Sequence, residues 1–267
     1  MNNVRVHSLY IYPIKSLQGI KLEQADLTKR GFKYDRHWML IDEQGRFLSQ
    51  RECADMAKIH TKLEKNHLRV SADPVAEDLL IPLNDHQETQ LTVTIWGDTC
   101  NATQVSLQAN LWFSELLRMH CKLVYLPQKE IRQVDPNHAK NNEQVGFADG
   151  YPLLVVSLES LKQLNTKLSS PVDITQFRPN IVIENCEAHA EDNWENIQIN
   201  GIDILLPKPC SRCNIPAINQ QTAEPVPDML KTLASYRRKD RKILFGMNGL
   251  HQTTGQINCR DEVIINI

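Results

Sequence analysis

NIQINGIDILLPKPCSRCNIPAIN, residues 196–219, is the stretch from which the rest of the chain is read. Two alternating apolar runs, NIQI and IDILLP, are separated by Asn200-Gly201, the strongest short signal for a two-residue hairpin turn. That hairpin delivers the chain to Cys210 and Cys213, which flank Ser211 and Arg212. In a tight turn this spacing lets both sulfurs face one point, and a neighbouring cation favours the thiolate that a metal or an electrophile needs. An isolated C-x-x-C is equally consistent with two plain reduced thiols, so the remainder of the chain has to decide.

Length and charge narrow the choice. With 267 residues the chain has room for two lobes and a full-sized core. Its 30 basic and 32 acidic residues leave a net charge of -2, so no global field draws it to nucleic acid or to anionic lipid, and any anionic ligand has to be held by local placement. The start, MNNVRVHSLYIYPIKS, has no charged leader followed by an apolar region, and no run approaches the ~20 apolar residues of a membrane span. A soluble, cytoplasmic protein without membrane or nucleic-acid partners is expected. Seven irregularly spaced cysteines read as reduced thiols, and zinc lacks a second C-x-x-C or paired histidines.

Upstream of the hairpin, QFRPNIVIEN places Pro179 after Arg178. Proline bars the preceding residue from helix, so an extended Arg178 is expected, on the same side as Asn180 and suited to gripping an anion. FADGYPLLVVS sets Asp149 and Gly150 ahead of a buried strand, where Asp-Gly is also a frequent turn pair, and Ser157 can cap the helix LESLKQLNTKL. KEIRQVDPNHAKNNEQVG is polar and aperiodic, as in a surface or lid-like loop. Ser106 can cap LQANLWFSELLRMH, expected to open the second lobe, and CKLVYLP follows as a strand.

The first hundred residues alternate in short strands. VRVHSLYIYPIK is closed by Pro13 and followed by a loop with Lys15, Ser16 and Gly19. RHWMLID and RFLSQR flank EQG as a hairpin, with Trp38 and Leu40 on one face and Arg36 at its mouth. HTKLEK, LRVSA, DLLIPL ahead of the polar NDHQET, and QLTVTIWGD complete a small twisted sheet or barrel. Beyond the cysteines, DMLKTLASYRR reads as a helix and KILFG and EVIINI as closing strands.

Taken in order, YPIKS, FADGYP, FRPN and PCSRC resemble the MOSC proteins, named after the C-terminal domain of molybdenum cofactor sulfurase, and within them the bacterial relatives of the mitochondrial amidoxime-reducing component. The resemblance implies an α+β, mainly β chain: an N-terminal β-barrel domain over residues 1–105 and a MOSC β-barrel domain over 106–267. It further implies that Cys213 ligates molybdenum carried on a pyranopterin, with Ser211 beside the cofactor. Lys15, Ser16, Arg36, Arg178 and Asn180 would hold the pterin and its phosphate, and Asp149 would stand near the metal as candidate proton donor. Cys186 matches a second cysteine often kept near the site and is given no ligand role.

The implied activity is reduction of N-hydroxylated compounds, such as hydroxylaminopurines or amidoximes, by oxygen-atom transfer. Electrons would come from a separate reductase or ferredoxin-like protein, because no further four-cysteine cluster follows. After the cysteines relatives commonly show a Thr-Thr-Val-x-Pro type run, whereas this chain has NIPAINQQTAE, which leaves substrate access at that rim open. A non-enzymatic molybdenum cofactor carrier and a persulfide carrier on Cys213 are the alternatives.

Overall fold

The computed structural model describes residues 3–73, 77–84, 89–139 and 141–266. In chain order the first strands are β1 (Arg5–Ile11), β2 (Ile20–Leu22), β3 (Gln24–Thr28), β4 (Gly31–Phe32) and β5 (Trp38–Ile41). β6 (His60–Leu63), β7 (His67–Ser71), β8 (Leu79–Pro82), β9 (Gln90–Ile95) and β10 (Asp98–Gln104) follow, then α1 (Leu107–Leu117) and β11 (Lys122–Tyr125). The rest comprises β12 (Leu153–Ser157), α2 (Leu158–Asn165), β13 (Ile181–Glu184), β14 (Asn196–Ile199), β15 (Ile202–Ser211), α3 (Met229–Arg237), β16 (Arg238–Lys239), β17 (Lys242–His251), β18 (Gly255–Asn258) and β19 (Val263–Asn266). Strands dominate, as expected for a mainly β, α+β chain. Of the polar run NDHQET, residues 85–88 lie outside the described residues.

The larger sheet runs β19-β14-β15-β17-β12-β13-β1-β2, with β16 paired to β17 alone. The Asn200-Gly201 hairpin forms as expected: φ is 50° and 75° at the two residues, and Ile199 stands opposite Ile202. β12 and β13 are parallel, which no tight turn can join, so α2 and the 3-10 helix Ile174–Phe177 make the crossover. Strand alternation then divides the sheet between two cores. Leu153, Val155, Ile181 and Ile183 face one that is closed by Ala25, Leu27, Phe32 and Ile257 of the small sheet β18-β3-β4. Leu154, Val156 and Val182 face another, covered by Leu161 and Leu164 of α2 and by Met229 and Leu233 of α3.

Phe245 and Met247 share parity on β17 yet enter opposite cores, because the ladder with β15 slips between them and Gly246 has φ of 76°. A Cβ at Gly246 would stand 2.6 Å from Val156 Cγ2 and 2.7 Å from the Val155 carbonyl oxygen, so the bulge requires glycine.

In the first half, sheets β5-β11-β10-β9 and β6-β7-β8 pack across α1. Trp38 and Leu40 share one face, as expected, against Leu68, Val70 and Ile81. Met39 and Ile41 on the reverse face meet Val93, Ile95 and Phe147. Ser106 and Ser157 cap α1 and α2, accepting from the N–H groups of Ala109 and Ser160. α1, expected to open the second lobe, instead buries Ala109 and Phe113 in the core of Trp38 and Leu40, and β11 ladders onto β5. Conversely β1 and β3 pair with β13 and β18, so the two halves exchange strands. Among the described residues of the loop 129–146, Val134, Ala139 and Val145 pack on Leu250 and Arg132 is buried, unlike a loose lid.

Candidate active site

All eight side chains singled out in the sequence, Lys15, Ser16, Arg36, Asp149, Arg178, Asn180, Ser211 and Cys213, line one cleft. They arrive from the loop after β1, the turn before β5, the approaches to β12 and β13, and the end of β15. Exchange of strands between the halves is what brings positions more than 130 residues apart into one wall.

Arg178 is not extended. Its φ of 55° and ψ of 47° are left-handed, and its N–H closes the 3-10 helix Ile174–Phe177 on Thr175. Proline excludes the right-handed helical region for Arg178, and ending the helical turn here selects the left-handed well rather than the extended one. The side chain is buried; Nη1 donates to the Leu17 carbonyl at 2.7 Å, while Nη2 is buried without a partner among the described residues. Arg36 also has positive φ, 48°, and donates to Asp35, to the Asn180 side-chain oxygen and to the Arg178 carbonyl at 3.1 Å. Burial, and after it the charge of Arg36, pushes the Arg178 guanidinium down to about 10. Two cations therefore stand close together, Arg36 paired with Asp35 and Arg178 with a buried donor left open. Asn180 is fully engaged with the protein, accepting from Leu154 N–H and donating to the Tyr10 carbonyl, so it sets the position of Arg36.

Lys15 is buried, against the usual fate of a lysine after a strand. Its Nζ donates to the Phe147 carbonyl at 2.8 Å and to Asp149 Oδ1 at 2.5 Å. Burial lowers the Lys15 ammonium against the pull of Asp149. For Asp149, burial pulls upward, but the charge and hydrogen bond of Lys15, with a further hydrogen bond from Trp96, hold the carboxyl well below the usual range. At neutral pH Asp149 is therefore an ionised partner for Lys15. The segment before β12 is set by Arg132, which donates to the carbonyls of Gly146, Ala148 and Asp149 and pairs with Asp98 at 2.8 Å.

The two thiols differ. Cys210 still belongs to β15 and receives a hydrogen bond from Arg212 Nη1 at 3.1 Å, while Cys213 lies beyond the strand and is exposed at the cleft. Ser16, with φ of 71°, and the exposed Ser211 complete the rim. Cys186 is absent from the lining and packs near Glu159, with burial pushing its thiol up to about 12. Among the described residues no three His, Cys, Asp or Glu side chains gather as a metal cage, so a metal here would depend on a single thiol plus ligands brought by a cofactor. Phe47, Arg51 and Arg212 also line the cleft and Trp96 borders it; only Arg212 stood out beforehand, by its place between the cysteines. Trp96 was read only as part of the strand run QLTVTIWGD, and nothing local tied it to the site.

Comparison with known families matches residues 3–120 to the MOSC N-terminal beta barrel domain and residues 142–264 to the MOSC domain. The mouse protein Mitochondrial amidoxime-reducing component 1 is 33% identical, over 97% of this chain and 82% of that one. The chain belongs to the MOSC family. A human MOSC relative, also a Mitochondrial amidoxime-reducing component 1, is 29% identical over 97% of this chain and 82% of its own. The rice Molybdenum cofactor sulfurase is 31% identical over 92% of this MOSC chain, which spans only 32% of the rice protein. No helix among the described residues is long and apolar enough to cross a membrane.

Proposed function

We propose that this MOSC protein is a molybdenum-cofactor-dependent oxidoreductase that reduces N-hydroxylated compounds, hydroxylaminopurines and amidoximes among them, by oxygen-atom transfer. The supporting observation is the exposed Cys213 thiol facing the same cleft as Arg36, Arg178 and Lys15. The residues fit the cofactor: a phosphate dianion would satisfy the unpartnered Arg178 Nη2 and offset the repulsion between the two guanidiniums. A single thiolate suits a soft metal whose other ligands are dithiolene sulfurs.

When bound, the group would supply two-electron oxygen-acceptor chemistry. The chain's own residues bind and orient. Arg36 and Arg178 would grip the phosphate, Asn180 holds Arg36, and Ser16 and Ser211 would border the pterin. Asp149, expected as proton donor, is the weaker candidate for that role, because its carboxyl is held ionised. The labile proton of the pair sits on Lys15 Nζ, whose ammonium burial destabilises. A small-molecule substrate and a separate electron-donating protein belong to the same proposal, which the likeness to the mouse amidoxime-reducing component supports.

Elemental analysis of wild type beside Cys213→Ser tests it. About one molybdenum per chain is expected in the wild type and none in the serine protein, with both folded, since serine is a near isostere but a poorer ligand for a soft metal. The loaded wild type should reduce an amidoxime with an artificial donor. A folded wild type from molybdenum-replete cells that holds no metal defeats the proposal.

A further inference from the structure

Trp96 is 51% exposed although it borders the cleft. It is the first residue of the two-residue turn between β9 and β10, with Ile95 opposite Asp98, and its φ is 57°, an unfavourable setting for a bulky residue. Two contacts hold it there. Its Nε1 donates to Asp149 Oδ1 at 3.1 Å, and the neighbouring Asp98 is paired with the buried Arg132. The Arg51 guanidinium lies 4.2 Å from the Trp96 ring centroid, and the Phe47 ring is 5.2 Å from the same indole. Arg51 and Phe47 line the cleft. Among the described residues Arg51 forms no ion pair, and its only side-chain hydrogen bond runs from Nε to Ser49 Oγ at 3.3 Å.

We infer that Arg51, backed by Trp96 and flanked by Phe47, is a specificity-determining plate that selects planar, conjugated N-hydroxylated substrates over aliphatic ones. A guanidinium is flat and weakly hydrated, and it stacks on aromatic rings through its face. With Trp96 on one side, its cleft side is presented to an incoming ring, as arginine planes receive nucleobases. Asp149 Oδ1 receives both Lys15 and Trp96, which ties the indole behind Arg51 to the cleft wall. This deepens the reductive proposal and rests on it.

The test compares wild type with Arg51→Ala, Arg51→Lys and Trp96→Ala. KM is measured for 6-hydroxylaminopurine and for acetamidoxime, and equilibrium binding of 6-hydroxylaminopurine is followed by calorimetry without reductant. Arg51→Ala and Arg51→Lys should each weaken purine binding about tenfold, a typical stacking effect, and raise the purine-to-acetamidoxime KM ratio by a similar factor. Trp96→Ala should move both in the same direction by less. Lysine keeps the charge and loses the plane, so wild-type purine binding in Arg51→Lys overturns the plate. Equal loss for both substrates, or no purine binding by wild type, overturns it too. Purine binding that Arg51→Lys abolishes in a protein that turns over neither compound would sink the reductase and keep the plate. Turnover of both with an unchanged KM ratio in Arg51→Lys would do the reverse.

Discussion

The guanidinium carbons of Arg36 and Arg178 each lie 4.3 Å from the centroid of the same Tyr12 ring. Tyr12 is buried between them, and the acid at the pair, Asp35, binds Arg36 at 2.6 Å. Arg178 Nη2 still lacks a partner among the described residues, and an anion would satisfy it.

Inorganic phosphate at constant ionic strength should therefore raise the thermal midpoint of cofactor-free protein. At about ten times its Kd the gain is ~1.4 kcal/mol, a shift of roughly 2–4 °C for a chain this size. Arg178→Lys should shrink the response, because a point charge replaces the fork. Scanning fluorimetry in phosphate and in chloride checks this, and identical midpoints for the wild type would contradict it.

Asp149→Asn should destabilise the protein in a pH-dependent way. The folded carboxyl lies below its ordinary 3.8, so its contribution is complete above that value and disappears as pH falls through the depressed one. Because the Asp149 side chain is 62% exposed, about 0.5–1 kcal/mol is expected at pH 7, shrinking in acid. Urea titrations across pH 2 to 7 give the difference. Lys15 acts in the same sense at the alkaline end: its ammonium is held below 10.5 by burial, so stability rises with pH through that interval, and losing Asp149 should lower the ammonium further. An NMR titration of the Lys15 side chain would show an unchanged midpoint if the pairing were incidental.

Gln50 and Gln220 exchange two amide hydrogen bonds of 2.9 Å, both side chains buried, and Gln18 donates to the Gln220 carbonyl. This clasp fixes the segment NIPAINQ against the first half of the chain. Gln220→Ala leaves the buried Gln50 Oε1 without its donor, at a cost of about 1–3 kcal/mol, while Gln50 Nε2 keeps its hydrogen bond to the Ser16 carbonyl. In a double-mutant cycle with Gln50→Ala the losses should be clearly less than additive, and full additivity would show the pair to be independent.

Much of the scaffold was legible because it rests on local rules. The Asn200-Gly201 turn, the serine caps of α1 and α2 and the shared face of Trp38 and Leu40 each follow from a few neighbouring residues. The site residues were legible as ordered motifs. Their geometry was not. Arg178 took a left-handed backbone to end a helical turn, Lys15 went inside because the Phe147 carbonyl and Asp149 receive it, and α1 joined the core before it in the chain.

By itself the sequence determined strands such as β1, β5, β7, β14 and β15, the Asn200-Gly201 turn and the set of cationic and thiol side chains from which a site could be made, since those depend on backbone preference and on residue chemistry. Only the tertiary structure decided that β1 crosses to β13 while β11 returns to β5, and so which charges face one another. Ionisation and pairing depend on distance and on exclusion of water, and both are properties of the assembled cleft.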